Sequence, residues 1–200
     1  MKQDFSQVDH SRPLLILDLD ETLVHAKEDE GLPGRQADHR LGSIFIYKRP
    51  HLAAFLCRMA EHYNLAIWSA GGSLYVEPTV QALFAALPGP IQPVFVWSRN
   101  RLTRRYDHEA RQEYFIKELK KVGAQGFNLE RTLIVDDLER NSERNFGNAV
   151  YIKPFEGAAD DCELLYLGDY LIDLLAEGAE KNFRKVEKRG WRQRYADRRN

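Results

Sequence analysis

The sequence predicts an α/β fold, in which a doubly wound parallel sheet carries helices on both faces. The first observation is a set of short apolar runs without alternation, which is typical of strands buried on both faces. The second is that stretches with helical spacing lie between these runs, as in βαβ units. The third is that the chain has 200 residues, of which 44% are hydrophobic. This size and composition allow one sizeable domain and exclude a disordered or collagen-like body.

Five apolar runs are the predicted strands. The first, 14–17, follows a proline and leads directly into Asp18. The second, 65–68, ends at Ser69 and an Ala-Gly-Gly turn. The remaining three predicted strands are 94–97, 132–135 and 149–152. Four-residue runs of this kind fit the strands of a parallel sheet better than they fit helices.

Four helices are predicted between the strands, because apolar residues there recur every three or four positions. They are 50–63, 74–87, 109–122 and 163–176. The segment 24–48 breaks the pattern, since it is rich in charges and ends in the alternating run 43–48. We interpret it as a flexible loop with a small β-hairpin insertion between the first strand and the first helix.

The net charge of −1 conceals an uneven distribution along the chain. Residues 181–200 contain nine Lys and Arg against two acids, a net charge of +7, so that residues 1–180 carry −8. We therefore divide the chain into a polar N-terminal segment (1–12), a main domain (13–180) and a basic tail (181–200). The tail could form a short helix, broken or bent at Gly190.

Sequence features also bear on the compartment. Cys57 and Cys162 belong to no C-x-x-C pair, so neither a disulfide framework nor a zinc site is predicted. The polar residues before Pro13 lack the apolar core of a signal peptide, and no apolar run is long enough to span a membrane. We expect a cytoplasmic protein with no membrane partner, or a nuclear one if the source is eukaryotic.

Carboxylates follow two of the predicted strands. Asp18 and Asp20 follow the first strand, and Asp136 and Asp137 follow the fourth. Ligands of open α/β sheets bind at the carboxyl ends of the strands, so these side chains are expected to lie close together. Neighbouring carboxylates raise each other's pKa, and a hard cation such as Mg²⁺ relieves the repulsion. The alternative for Asp18 and Asp20 is that they cap a turn.

Residues 17–25 (LDLDETLVH) resemble the first motif of the haloacid dehalogenase (HAD) superfamily. More narrowly, they resemble its NLI-interacting-factor-like branch, which is related to RNA polymerase II C-terminal-domain phosphatases. The same branch has a K-R-P-H…F-L-x-R-M stretch, an aromatic-x-Lys-acid-Leu element and an L-I-V-D strand. Here these motifs fall at 48–59, 115–119 and 133–136. The resemblance spans about residues 13–178 with the motifs in the same order, and it implies a HAD-like fold.

The resemblance also implies roles for individual residues. Asp18 would be the nucleophile that forms an aspartyl-phosphate, and Asp20 would be the general acid and base. Thr22 would fix the loop through its hydroxyl. Ser69 would bind the transferring phosphoryl group, with a plain helix cap as the alternative. Lys117 would stabilise charge on the phosphoryl oxygens, whereas an isolated lysine of this kind would simply be solvated.

The implied cofactor is Mg²⁺, bound by Asp18, the main-chain carbonyl of Asp20, and one or both of Asp136 and Asp137. Many members of the branch have D-N-S-P at the last position, whereas this chain has Asp136-Asp137-Leu138-Glu139. Asp137 in place of Asn keeps an oxygen ligand and adds charge, so metal binding is retained. Which of the two aspartates is the direct ligand stays open.

The implied function is that of a Mg²⁺-dependent phosphatase without a large cap domain, since only 24–48 offers extra length. An uncapped site suits large substrates, and the resemblance favours phosphoserine or phosphothreonine in a protein. The alternatives are a polynucleotide-end or small-metabolite phosphatase, and an inactive phosphopeptide-binding scaffold. A polyanion contact could use the arginines from Arg99 to Arg105, or the tail 181–200. The alternative for those arginines is an ordinary solvated loop.

Overall fold

The computed structural model describes residues 5–178 and 182–198. Its centre is a five-stranded parallel sheet. In spatial order the strands are β10 (Ala149–Tyr151), β9 (Thr132–Asp136), β1 (Leu14–Leu17), β5 (Asn64–Trp68) and β6 (Val96–Trp97). The predicted strands are confirmed, although the one expected at 94–97 is limited to its last two residues.

Strand β1 lies at the middle of the sheet because it is apolar on both faces. It pairs with β5 on one side and with β9 on the other, so that Leu17 faces Ile67 and Val135. Leu15 belongs to the larger hydrophobic core, whereas Ile16 belongs to a second core. Successive side chains of a strand point to opposite faces of the sheet, so β1 contributes to the core on each face.

The helices are α1 (Leu52–His62), α2 (Ser73–Ala85), α3 (Lys120–Gly123), α4 (Glu163–Gly178) and α5 (Trp191–Asp197). Helices α1, α2, α4 and α5 contribute to the larger core, and Val122 of α3 contributes to the second core on the other face. This arrangement confirms the predicted α/β fold with helices on both faces, and it confirms the helices predicted at 50–63, 74–87 and 163–176.

The helix predicted at 109–122 is wrong. Strands β7 (Thr103–Asp107) and β8 (Gln112–Ile116) form an antiparallel hairpin there, and only α3 is helical. Tyr114, Phe115 and Ile116 favour a strand, and pairing with β7 outweighs their helix-like spacing. The Asp107 carboxylate accepts from the backbone N–H groups of Glu109 and Ala110, which closes the turn.

The insertion after β1 is more regular than predicted. It forms a three-stranded antiparallel sheet in the order β2 (Val24–Glu28), β4 (Ile44–Lys48) and β3 (His39–Leu41). The predicted hairpin strand is β4, whereas β2 and β3 lie in the segment expected to be a flexible loop. The insertion remains small, in agreement with the expected absence of a large cap domain.

The C-terminal segment packs onto α4. Gly190 has a left-handed backbone (φ 67°), and α5 begins directly after it, as the predicted break implies. The indole of Trp191 stacks on the ring of Tyr170 with centroids 5.2 Å apart. Residues 181, 199 and 200 of the predicted tail lie outside the described residues, and the domain limits at 12 and 180 stay a prediction. Within residues 5–178 and 182–198, no helix is long and apolar enough to cross a membrane.

Candidate active site

Three neighbouring strands deliver polar residues to one edge of the sheet. Asp18 follows β1, Ser69 follows β5, and Asp136 is the last residue of β9. The backbone N–H of Asp18 donates to the carbonyl of Val135 at 3.0 Å, which holds the first and fourth motifs side by side. Asp18, Asp136 and Asp137 each place a carboxylate oxygen within 4.8 Å of the others. The expected cluster at the carboxyl ends of the strands is therefore present.

Lys117 completes this cluster from a different element. Its Nζ donates to Oδ1 of Asp18 at 2.5 Å and to Oδ2 of Asp136 at 2.7 Å. Lys117 directly follows β8, and its backbone N–H donates to the carbonyl of Asn141 at 2.8 Å. The side chain is fully buried, so the ammonium must be paired to be tolerated. The structure thus unites Asp18, Lys117 and Asp136, but places Lys117 after a strand rather than on a helix.

Burial and charge shift the pKa values of these groups. Burial raises the pKa of Asp18 well above its ordinary value; the charge of Asp136 adds to this effect, and the Lys117 ammonium opposes it. For Lys117, burial lowers the pKa, but Asp136 and Asp18 outweigh it, so the net direction is upward. Burial, and then the charge of Asp136, raise the pKa of Asp137 to about 6. Ionisation of all three carboxylates is therefore unfavourable with one ammonium as the counter-charge.

This donor set fits a hard divalent cation. Three carboxylates face a single ammonium, and carboxylate oxygen is the ligand that such cations prefer. Oδ1 of Asp136 also accepts from the backbone N–H of Leu138 at 3.0 Å and from Nδ2 of Asn141 at 2.8 Å. These bonds fix the orientation of the carboxylate, as the supporting residues of metal ligands do.

The carboxylate of Asp20 does not belong to the group formed by Asp18, Asp136 and Asp137, and it is held by two hydroxyl groups. Ser69 Oγ donates to its Oδ2 at 3.0 Å, and the Tyr75 hydroxyl donates to its Oδ1 at 2.6 Å. Ser69 Oγ also accepts from the backbone N–H of Gly71 at 2.8 Å. Burial and the charge of Asp20 raise the pKa of Tyr75, so its hydroxyl remains a donor. The predicted acid–base residue is therefore positioned separately from the predicted nucleophile.

The loop between Asp18 and Val24 is fixed mainly by its backbone. Glu21 has a left-handed conformation (φ 55°), which is strained for a residue with a side chain. Thr22 is fully buried, and its hydroxyl has no hydrogen-bond partner among the described residues. The bond expected from that hydroxyl to the loop is therefore not formed. Arg49 Nη1 instead donates to the carbonyl of Thr22 at 3.1 Å.

The arginines predicted as a basic rim have different environments. Arg99 Nε donates to the carbonyl of Ala70 at 2.8 Å, and the residue borders a cavity that also includes Asp20. Arg101 lies over the Trp97 ring, 5.2 Å from its centroid. Arg104 and Arg105 form ion pairs with Glu113 and Glu118. Among the four, Arg99 is the one that borders the same cavity as a predicted catalytic residue.

Two contributors to the site were missed in the sequence. Tyr75 lies at the start of α2, where an aromatic hydroxyl just after the Gly-Gly turn was a usable signal. Asn141 lies five residues after Asp136 in a 3₁₀ turn (Glu139–Ser142), and nothing in its local pattern distinguishes it from neighbouring polar residues.

Comparison with known proteins agrees with this geometry. The family model described as NLI interacting factor-like phosphatase matches residues 13–184. Phosphatase Herzog of Drosophila melanogaster is 29% identical over 78% of this chain and 42% of its own length. CTD small phosphatase-like protein 1 of Caenorhabditis elegans is 28% identical over 78% of this chain and 30% of its own length. The chain thus spans less than half the length of these two relatives.

Among solved structures, the fission yeast RNA polymerase II CTD phosphatase Fcp1-R271A bound to beryllium fluoride has a TM-score of 0.55. The alignment is 19% identical and covers 90% of this chain and 54% of that one. At this identity the likeness concerns the fold, and it agrees with the HAD-like sheet expected from the motifs.

Proposed function

The chain belongs to the NLI interacting factor-like phosphatase family, and from that premise we propose that it hydrolyses phosphate monoesters with Mg²⁺ through an aspartyl-phosphate on Asp18. The observation that carries the proposal is the buried cluster in which Lys117 Nζ contacts Asp18 at 2.5 Å and Asp136 at 2.7 Å. A carboxylate held beside a fixed cation is poised to attack a phosphorus atom whose oxygens that cation attracts.

In the first half of the reaction, a carboxylate oxygen of Asp18 forms a bond to phosphorus as the bond to the ester oxygen breaks. Protonated Asp20 donates its proton to that leaving oxygen, which departs as an alcohol. Lys117 faces the equatorial phosphoryl oxygens and stabilises their charge. The Ser69 and Tyr75 hydroxyls support this role, because each holds one oxygen of the Asp20 carboxylate in place.

In the second half, Asp20 accepts a proton from a water molecule whose oxygen attacks phosphorus. The bond between phosphorus and the Asp18 oxygen breaks, which releases inorganic phosphate and restores the Asp18 carboxylate and protonated Asp20. Splitting hydrolysis in this way replaces one difficult displacement by two easier ones.

Asp18, Asp136, Asp137 and the main-chain carbonyl of Asp20 would hold Mg²⁺. The bound ion supplies positive charge that offsets the carboxylates and the phosphoryl oxygens. The excess of carboxylates over ammonium groups supports a divalent ion, and a donor set of oxygens supports Mg²⁺ over softer metals.

For the substrate we propose phosphoserine or phosphothreonine in a polypeptide. A cavity of about 540 Å³ lies beside Asp20 and opens to solvent. Its walls include Ala26 of β2, Ile44 of β4, the Tyr75 ring and Arg99. The wall also includes the acidic Glu28, so that the cleft has apolar, cationic and anionic sides. An open cleft of this kind suits a peptide next to a phosphate group, and the small insertion leaves it accessible. The names of the relatives, which include CTD phosphatases, favour the same class.

The test is hydrolysis of an aryl phosphate by the full 200-residue chain. We expect activity with Mg²⁺ and none after EDTA treatment, with restoration when Mg²⁺ is added back. Asp18→Asn should abolish turnover because an amide is too poor a nucleophile, whereas Asp160→Asn, an exposed residue, is the matched control. Activity that survives both EDTA and Asp18→Asn would exclude the proposed mechanism.

Substrate class is then decided by comparing phosphopeptides, phosphorylated nucleic-acid ends and small phosphorylated metabolites. The highest kcat/KM is expected for a phosphopeptide. A higher value for a nucleic-acid end would make the chain a polynucleotide-end phosphatase.

A further inference from the structure

A second large cavity lies beside the outer strand of the sheet. It has a volume of about 770 Å³ and is bordered by Tyr151 of β10, by Phe146 and Gly147, and by the chain from Arg184 to Arg192. Most of its wall therefore comes from the predicted basic tail, although the tail's aromatic residues pack inward. Nothing in the proposed reaction uses this cavity.

The cavity wall is strongly cationic. Its basic residues are Arg184, Lys185, Lys188, Arg189 and Arg192, against the acidic Glu139 and Glu187. Arg189 is paired with Glu187, and Arg192 is paired with Glu163 of α4. Within residues 5–178 and 182–198, Arg184 and Lys185 form no ion pair and are exposed. Two cations are thus free to bind an anion from solvent.

The shape of the cavity is fixed by hydrogen bonds and close packing. Lys188 Nζ donates to the carbonyls of Gly147, Phe183 and Val186 at 2.7, 2.5 and 3.0 Å. A Cβ atom added at Gly147 would lie 3.1 Å from the carbonyl oxygen of Arg184, so the two segments are in close contact. Lys188 therefore has a structural role, while the free cations sit on a preformed wall.

The cavity begins one strand away from the candidate active site. Tyr151 on its wall is the β-sheet partner of Asp136, and neighbouring strands lie about 4.8 Å apart. Glu139, also on the wall, lies three residues after Asp136. Burial, followed by the charges of Glu139 and Asp136, raises the pKa of Tyr151 to about 12, which is consistent with this proximity. The cavity extends along β10 to the opposite end of that strand, because Arg184 packs against Gly147, two residues before β10 begins. An extended peptide, at about 3.3 Å per residue, therefore needs roughly four to eight residues to reach from Asp136 to Arg184 and Lys185.

We propose that this basic cavity binds a second phosphate group on the polypeptide whose first phosphate occupies the Asp18 site, with Arg184 and Lys185 as its ligands. The inference rests on the proposed function for the identity of the first site. It deepens that function, because it assigns the chain a preference for multiply phosphorylated segments. Charge-assisted hydrogen bonds from Arg and Lys are the usual means of binding phosphate.

The cavity fits a phosphorylated peptide better than it fits a nucleic acid. Single-stranded nucleic acids are bound by aromatic rings that stack on successive bases. The aromatic residues of the tail, Phe183, Trp191 and Tyr195, are buried in the core and cannot take this role. Phe146 is the exposed ring on the cavity wall, and a single ring can stack on one base but not on successive ones. Glu139 and Glu187 would also repel a continuous phosphate backbone, whereas one discrete phosphate can contact Arg184 and Lys185 alone.

The test measures binding without turnover. Labelled peptides carry one or two phosphonate groups, in which a methylene replaces the ester oxygen, and their affinity for the wild-type chain is measured by fluorescence anisotropy. The second group is placed roughly four to eight residues from the first, which is the span that an extended chain needs to reach Arg184 and Lys185. We expect the doubly modified peptide to bind about tenfold tighter than the singly modified one at its best spacing. The combined Arg184→Gln and Lys185→Gln variant should reduce this ratio to near one.

The matched control is Arg194→Gln, which removes an exposed arginine of α5 that does not border the cavity and should leave the ratio unchanged. Equal affinities of the wild type for the two peptides, or an equal loss of the ratio in the control, would overturn the inference. The inference would also be overturned by competition, if an oligonucleotide displaced the labelled, doubly modified peptide at a lower concentration than the same peptide without its label. Anisotropy measures binding and needs no hydrolysis, so it can fail or succeed independently of catalysis. Failure of the proposed catalytic function is detected separately, by the aryl phosphate test.

Discussion

Asp20 depends on two neighbouring hydroxyl groups for its position. A carboxylate that must both donate and accept a proton needs one orientation, and the hydroxyls of Ser69 and Tyr75 fix both of its oxygens. These two hydroxyls come from one stretch of chain, the end of β5 and the start of α2. The proposed chemistry therefore depends on Ser69 and Tyr75, which orient the carboxylate of Asp20, as well as on that carboxylate.

Tyr75→Phe removes one of these two bonds without changing the shape of the ring. We expect kcat for an aryl phosphate with a poor leaving group to fall about tenfold, because a misplaced acid no longer protonates the departing oxygen well. The loss should be smaller with a good leaving group, which needs no protonation. Both rates are compared by steady-state kinetics.

Tyr114→Phe is the control for this change, since Tyr114 contacts Glu143 on the surface. Equal losses with good and poor leaving groups would mean that Tyr75 serves the fold and does not orient Asp20.

At the residue scale, the sequence placed Asp18, Asp136 and Asp137 near one another, because they stand at the ends of two apolar runs that form neighbouring strands. It could not place the partners of those carboxylates. Lys117 reaches Asp18 across 99 residues of chain, and its placement depends on a hairpin that the sequence pattern concealed. For Lys117 the resemblance to a known motif supplied what periodicity did not.

Between elements, Arg49 joins the insertion to the segment that follows β10. Its Nε and Nη2 each donate to an oxygen of Asp161 at 2.8 Å, and Nη2 also donates to the carbonyl of Lys153 at 2.8 Å. With the bond to Thr22, one guanidinium connects three stretches of backbone around the first motif. The planar group has enough donors for all of them, which a lysine would lack.

Arg49→Met should lower the free energy of unfolding by about 3–5 kcal/mol, because it leaves Asp161 without its cation. Burial raises the pKa of Asp161, but the hydrogen bond and charge of Arg49 outweigh it, and the pKa lies below the ordinary value of 3.8. The pair therefore contributes its stability above about pH 4, and the contribution is lost as the pH falls through the lowered pKa. Urea unfolding from pH 3 to pH 7 should show the difference between wild type and variant shrinking at the acid end.

Arg58→Met provides the comparison, because Arg58 pairs with Asp169 at the exposed surface. This substitution should lower the free energy of unfolding by less than about 1 kcal/mol. A cost for Arg49→Met no larger than this, at neutral pH, would contradict the structural role assigned to Arg49.

The elements that were predicted correctly have one property in common: each is buried along its whole length or on one regular face. β1 and β9 are buried throughout, and α1 and α4 carry regular apolar stripes. The hairpin β7–β8 was missed because only Ile116 among its ten residues is buried, so no clear period of two marks it. Its identity follows from pairing between strands, which a local pattern does not show.

For the molecule as a whole, the C-terminal segment is part of the core. Phe183, Trp191 and Tyr195 belong to the same hydrophobic cluster as the helices on that face. The sequence suggested a separable basic tail, because its charges are conspicuous and its three aromatic residues are far apart. The spacing of these three rings does not form a regular apolar stripe, so it does not predict that they are buried.

Truncation after Gly178 should therefore destabilise the protein severely. Loss of one buried large aromatic side chain typically costs about 3–5 kcal/mol, while a domain has about 5–15 kcal/mol of stability in total. We expect the truncated chain to lose its cooperative thermal transition, as followed by circular dichroism. The conservative variant Trp191→Phe should keep the transition at a lower midpoint, and an unchanged midpoint after truncation would show that these contacts contribute nothing.

The order of strands in the sheet also has a consequence for synthesis on the ribosome. β1 is made early, yet one of its two partners, β9, begins at Thr132, about 115 residues after Leu17. At about 5–20 residues per second, one edge of this apolar strand waits roughly 6–23 s for its neighbour. During this interval an open β edge can pair with another nascent chain, so β1, which leads directly into Asp18, is exposed to mispairing until β9 has been made.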